Sequence, residues 1–167
     1  MAIPDSALLL AGFVLAHGAW SVSDLPKGEL LCPLAVIETN GNRTLSRFEA
    51  ETQEVAIARG KSAMMDASKS ADAWAFVREG LMPEGGVKVD VLVVDFWAKG
   101  MSAPVTIIQR FEPYSTNKKF KIMGEPKVVI DGVMQSTEKA KDLVQRIEQG
   151  ISQHPKVKDL WKGWRSK

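Results

Sequence analysis

Val87-Lys88-Val89-Asp90-Val91-Leu92-Val93-Val94-Asp95-Phe96-Trp97-Ala98 is the stretch whose reading decides the fold. Its β-branched and aromatic content is that of a strand. Side chains alternate between the two faces of a strand. The odd positions carry Val87, Val89, Val91, Val93, Asp95 and Trp97; the even ones carry Lys88, Asp90, Leu92, Val94, Phe96 and Ala98. Both faces are apolar over the second half, so the strand belongs inside a sheet.

Three further strand candidates flank it, at 73–79, 105–112 and 120–130. The loops between them hold Pro83-Glu84-Gly85-Gly86, Lys99-Gly100 and Ser115-Thr116-Asn117, all turn-forming composition. Gly124-Glu125-Pro126 should bend or split the last candidate. Upstream, 30–39 and 43–48 flank Asn40-Gly41-Asn42, a strong hairpin signal because Asn and Gly tolerate positive φ. Pro33 would suit an edge position, since it donates no ladder bond.

Three helices complete the pattern. Asp5 or Ser6 caps the first, whose run Ala7 to Ala16 is apolar on every side and should be buried. The second spans about 51–67, with Val55, Ala58, Ser62 and Met65 on one stripe. The third is capped by Ser136 or Thr137, carries Leu143, Ile147 and Ile151 on its apolar stripe, and ends by His154-Pro155. Consecutive strands joined by short loops pair antiparallel. The expectation is therefore an α+β fold: a mostly antiparallel sheet of about five to seven strands with three helices, in the order α-ββ-α-ββββ-α. No repeat or long linker divides the chain, so 1–167 reads as one domain ending in a basic Lys/Trp tail at 155–167.

Composition narrows function by exclusion. The chain is 45% apolar and 25% charged, with net charge +2, so no global field favours nucleic acid or membrane. Only the tail is basic, with Lys156, Lys158, Lys162, Arg165 and Lys167 against Asp159. Cys32 is the sole cysteine; no intrachain disulfide forms, which fits a cytoplasmic location. With only His17 and His154 besides, no structural zinc site is expected. The N-terminal run is short of the ~20 residues that cross a bilayer, and no Lys or Arg precedes it as in a signal peptide. No transmembrane segment, metal or cofactor is therefore expected. Nucleophile elbows, phosphate-cradling loops and dinucleotide fingerprints are missing too. A metal-dependent nuclease of the restriction type would need Glu-x-Lys where Gln109-Arg110-Phe111 stands.

Two places invite chemistry. Asp95 is a carboxylate among large apolar residues and needs a partner or a raised pKa. If paired residues of the hairpin sum to an odd number, Asp95 shares a face with Thr106, Ile108 and Arg110; one residue of slip substitutes Ile107 and Gln109. Asp95, Trp97, Gln109 and Arg110 are thus candidate ligand-binding residues, or Asp95 makes a structural ion pair. In the tail, Lys156, Lys158, Lys162 and Arg165 interleave with Trp161 and Trp164. They could grip an anionic surface, phosphates or stacked bases, or the indoles pack back on the domain. His17 closes the first helix, where a histidine favours the helix dipole.

The element order is loosely similar to small α+β adaptor folds of the profilin-like or roadblock type. That resemblance rests on order alone and implies partner binding through an exposed sheet face or edge. Three functions follow as expectations. The first is a non-enzymatic binding domain with a protein partner or self-association as a homodimer. The second is a small-molecule enzyme or ligand binder using Asp95, Arg110 and Gln109. The third is a nucleic-acid or anionic-membrane binder acting through the tail.

Overall fold

A computed structural model describes residues 1–26 and 28–165. Lys167 of the basic tail lies outside them. The order is α1 (Asp5–Val22), β1 (Leu34–Thr39), β2 (Asn42–Arg47), α2 (Gln53–Ala67), β3 (Ala73–Glu84), β4 (Val87–Ala98), β5 (Val105–Glu112), β6 (Lys121–Ile130), β7 (Val133–Met134), α3 (Thr137–Ser152) and α4 (Trp161–Arg165). The strands form one antiparallel sheet ordered β2-β1-β3-β4-β5-β6-β7. The α+β class and element order stand as expected. The helix count becomes four, because one short turn of helix closes the tail.

The β1–β2 turn is built as its residues require: Asn40 has φ 52° and Gly41 φ 80°, inside the closing pair Thr39–Asn42. β1 is an interior strand, paired on both sides, and Pro33 sits just ahead of it, where its carbonyl accepts the Phe48 N–H. β4 is likewise interior, between β3 and β5. β3 runs on to Glu84, five residues past the expected end, because it pairs with β4 to the tip of the hairpin. β6 does not split at Gly124-Glu125-Pro126. It absorbs a bulge there, opposite Ile108 to Arg110, with Gly124 at φ 75°.

α1 is the centre of the core. Its buried residues include Leu8, Leu10, Val14 and Leu15, which pack with Val77, Leu92, Val94 and Phe96 of the sheet and with Ile147 and Ile151 of α3. At 18 residues it is long and apolar enough to cross a membrane by composition. Here its apolar sides are spent on the sheet and α3. Two glycines permit the close crossing: a Cβ on Gly12 would lie 2.0 Å from the Ile147 carbonyl oxygen, and one on Gly150 2.2 Å from that of Leu9. Pro4, not Asp5 or Ser6, holds the N-cap position of α1, with no side-chain bond. Ser136 caps α3, its Oγ accepting the Lys139 N–H.

α2 lies on the opposite face and rests chiefly on β1 and β3. Its buried residues are Ala56, Gly60 and Met64, whereas Val55 and Met65 of the expected stripe are exposed, Met65 by 74%. The cause is Gly60: a Cβ there would meet the Phe76 ring at 2.3 Å, so the helix docks through its smallest residue. Apolar periodicity reads such a face as a gap.

Candidate functional site

The strand register puts Phe76, Asp95 and Thr106 in one row. Thr106 Oγ1 and Arg78 Nη1 each donate to Asp95, to Oδ1 and Oδ2, both at 2.6 Å. The Arg78 and Asp95 side chains are 17% and 18% exposed. The odd-sum register therefore holds, but the cation beside Asp95 is Arg78, from β3. Arg110 shares the face and pairs with Glu84 at the hairpin tip instead. Trp97 is on the same face and donates its Nε1–H to the Met101 carbonyl.

Gln109 is elsewhere. It points to the helix side, fully buried, and its amide nitrogen faces the carbonyls of Arg110, Met123 and Gly124. It serves the carbonyl groups that the β5–β6 bulge frees from the ladder. Asp95, Trp97 and Arg110 thus come together on one face, and Gln109 does not join them.

That face is open beyond α2. α1, α3 and α4 all pack on the other side, so no described helix covers β5, β6 or β7 here. Met82, Val93, Ile108, Met123 and Val129 lie half-buried on it, and Met134 is 48% exposed. Val93 and Ile108 are cross-strand neighbours at its middle. Met65 of α2 borders it, above a groove of about 310 Å³ lined by Met64, Trp74, Phe76, Pro104 and Asp95, with Lys61 at the rim. The ion pairs Arg78–Asp95 and Arg110–Glu84 join charges across this surface, and their long stems cover apolar area beside them.

A second concavity, of about 660 Å³, opens at the end of α1 between Val22, Leu25, Leu81 and Phe111. Glu79 is on its wall, and burial chiefly raises its carboxyl pKa, with Asp90 adding and the Leu31 N–H opposing. That N–H bond, 2.8 Å to Oε1, fastens the loop ahead of β1 to the sheet. The sequence signal was present, since Glu79 continues the inward row of Ala73, Ala75 and Val77.

The two histidines meet across 137 residues. His154 Nδ1 accepts the N–H groups of Lys156 and Val157 at 3.2 Å, so its proton sits on Nε2. That Nε2–H donates to His17 Nδ1 at 3.0 Å. His17 then carries its own proton on Nε2, which is buried without a partner. Burial first holds both imidazoles below their ordinary pKa; Arg47 adds to this at His17, and His17 adds to it at His154.

This pair anchors the tail. Val157 and Trp161 are buried, and Trp164 packs edge-on against Phe120 at 5.0 Å between ring centres. Arg165 pairs with Glu148 at 3.3 Å, while Lys156, Lys158 and Lys162 face solvent. The indoles are therefore docked. Among the described residues no group of three His, Cys, Asp or Glu side chains is placed to hold a metal. No protein-family model matches the chain, and no curated protein or solved structure is significantly similar to it.

Proposed function

We propose that this protein is a non-enzymatic interaction domain that docks a protein partner on the open face of its sheet. One observation carries the reading: on the surface from Met65 through Val93 and Ile108 to Met134 half-buried apolar side chains lie without a covering helix, whereas α1, α3 and α4 pack on the opposite face. Contiguous apolar surface rimmed by polar groups is the mark of an interaction site. The groove beside Trp74 and Phe76 is shaped to receive one apolar anchor from the partner. Arg78 and Arg110 enter such a contact already paired, with Asp95 and Glu84, while Lys127, opposite Ile108 on β6, is exposed. The lone Cys32 supports a reducing, cytoplasmic setting.

Selection of an unbiased peptide display library against the full chain tests the reading. Enriched peptides should lose at least tenfold in affinity to the Ile108→Arg variant and keep their affinity for Val55→Arg, on the outer side of α2. Equal affinity for wild type and Ile108→Arg would remove the open face as the docking surface.

A further inference from the structure

We infer that the docked tail helps to form a second site, a cleft that takes an unpaired nucleobase together with its phosphate, as a free nucleotide or as one unit of a single strand. The cleft is separate from the open face, because α1 and α4, which wall it, pack on the other side of the sheet. Three observations support it.

The first is shape. The cleft has a volume of about 520 Å³, inside the ~300–1,000 Å³ range of small-ligand sites. Trp20 of α1 and Trp164 of α4 line it together with Tyr114 and Phe120, which flank the turn between β5 and β6.

The second is the aromatic lining. Phe120 and Trp164 hold each other edge-on, and Trp20 rests against His17 and His154 with ring centres 5.8 and 6.3 Å apart. Trp20 still leaves 40% of its surface exposed, and Tyr114 is exposed to the same extent. Large rings left wet beside a concavity are surfaces on which a base stacks. The contacts of Trp20 and Trp164 fix those rings in advance of binding.

The third is charge. None of the residues lining the cleft is acidic, and Lys119 and Lys121 are exposed on either side of Phe120. Glu112 stands opposite Lys121 in the strand ladder, which leaves Lys119 as the cation for the phosphate. Lys162, next to Gly163 on the facing helix, is a second exposed ammonium. Neither Lys119 nor Lys162 forms an ion pair among the described residues. Aromatic surface with ammonium groups beside it and no carboxylate in its walls suits a flat ring that carries negative charge. A base inside a duplex is stacked on both sides and cannot enter such a cleft, so the ligand is unpaired.

Fluorescence anisotropy of a labelled single-stranded oligonucleotide titrated with the full chain decides the matter. The matching duplex, phosphatidylserine vesicles and calorimetry with a nucleoside monophosphate are the other arms. The strand or the monophosphate should bind at low salt, and the duplex should bind about tenfold or more weakly. Tyr114→Ala and Lys119→Glu should each weaken binding about tenfold. Gly163→Leu should weaken it as much, because its Cβ meets nothing within 4 Å and the added side chain fills the cleft. Circular dichroism checks that all three variants keep the fold. Ile108→Arg on the open face should change nothing, which separates this site from the docking function. Binding of the monophosphate through the same residues names a free nucleotide as the ligand; binding of the strand alone names a single strand. No binding of either overturns the inference, as does equal affinity for strand and duplex. Binding untouched by Tyr114→Ala or by Gly163→Leu, or a preference for the vesicles over both, overturns it too.

Discussion

Gly150→Ala should destabilise the protein although alanine is the better helix former. At Gly150 a Cβ would stand 2.2 Å from the Leu9 carbonyl oxygen, where 3.4 Å begins ordinary contact. The two helices must then part by more than ~1 Å at a backbone-to-backbone contact that no rotamer change relieves. Overpacking of this kind costs about 1–3 kcal/mol, and the propensity gain returns at most about 1 kcal/mol. A net loss of ~1–2 kcal/mol in a chain of this size lowers Tm by about 2–8 °C. Gly163→Ala is the control, because its Cβ meets nothing within 4 Å and sits in α4; its Tm should hold or rise by about 1–3 °C. Gly12→Ala should act like Gly150→Ala, its Cβ meeting the Ile147 carbonyl at 2.0 Å. The double variant should lose less than the sum, since one separation of the helices accommodates both methyl groups. Thermal unfolding followed by circular dichroism reads all four variants. A Tm that rises for Gly150→Ala would refute the close crossing of α1 and α3.

Asp95→Ala leaves the Arg78 guanidinium part-buried over the Phe76 ring and deprives Thr106 of its acceptor. It should cost about 1–3 kcal/mol in urea unfolding, and Asp95→Asn, which still accepts from Thr106, should cost less; equal midpoints for wild type and Asp95→Ala would contradict this. The histidine pair gives an acid-side prediction. Both imidazoles have folded pKa values below 6.5, so the unfolded chain takes up protons first as pH falls. Their contribution is whole above pH 6.5 and is lost as pH drops through the lowered folded values. Glu79, with its raised pKa, tilts stability the opposite way in acid, so the reading is the difference between wild type and His17→Gln/His154→Gln. That difference should shrink from pH 7.5 to 5.5; a difference that grows on acidification would contradict the assigned directions.

Much of this architecture is legible in local sequence because local rules set it. The β1–β2 hairpin follows from Asn40 and Gly41, and the interior place of β4 from two apolar faces over Val91–Ala98. The register beside Asp95 was also readable as one of two choices. Its cation was not: Arg78 reaches Asp95 because β3 pairs with β4 in the register that sets Phe76 opposite Asp95, and Arg110 is taken by Glu84 at the hairpin tip. Gln109 misled because a polar residue inside a strand resembles a ligand group, whereas the bulge opposite it supplies backbone acceptors. The meeting of His17 with His154 depends on how α1 crosses α3, and no local pattern encodes that crossing. Which face of the sheet stays open is likewise a tertiary fact. It depends on three helices choosing one side and on α2 being too short and too far toward β1 to cover the rest.

The docking face can be observed directly by carbene footprinting of the full chain, with labelling mapped by peptide mass spectrometry with and without a saturating display-selected peptide. Labelling of the β4, β5 and β6 peptides at Val93, Ile108, Met123 and Val129 should fall several-fold when the peptide is added, while Lys141 and Gln145 on the outer side of α3 stay constant. Unchanged labelling of the open face, or protection confined to α3, would contradict its role as the docking surface.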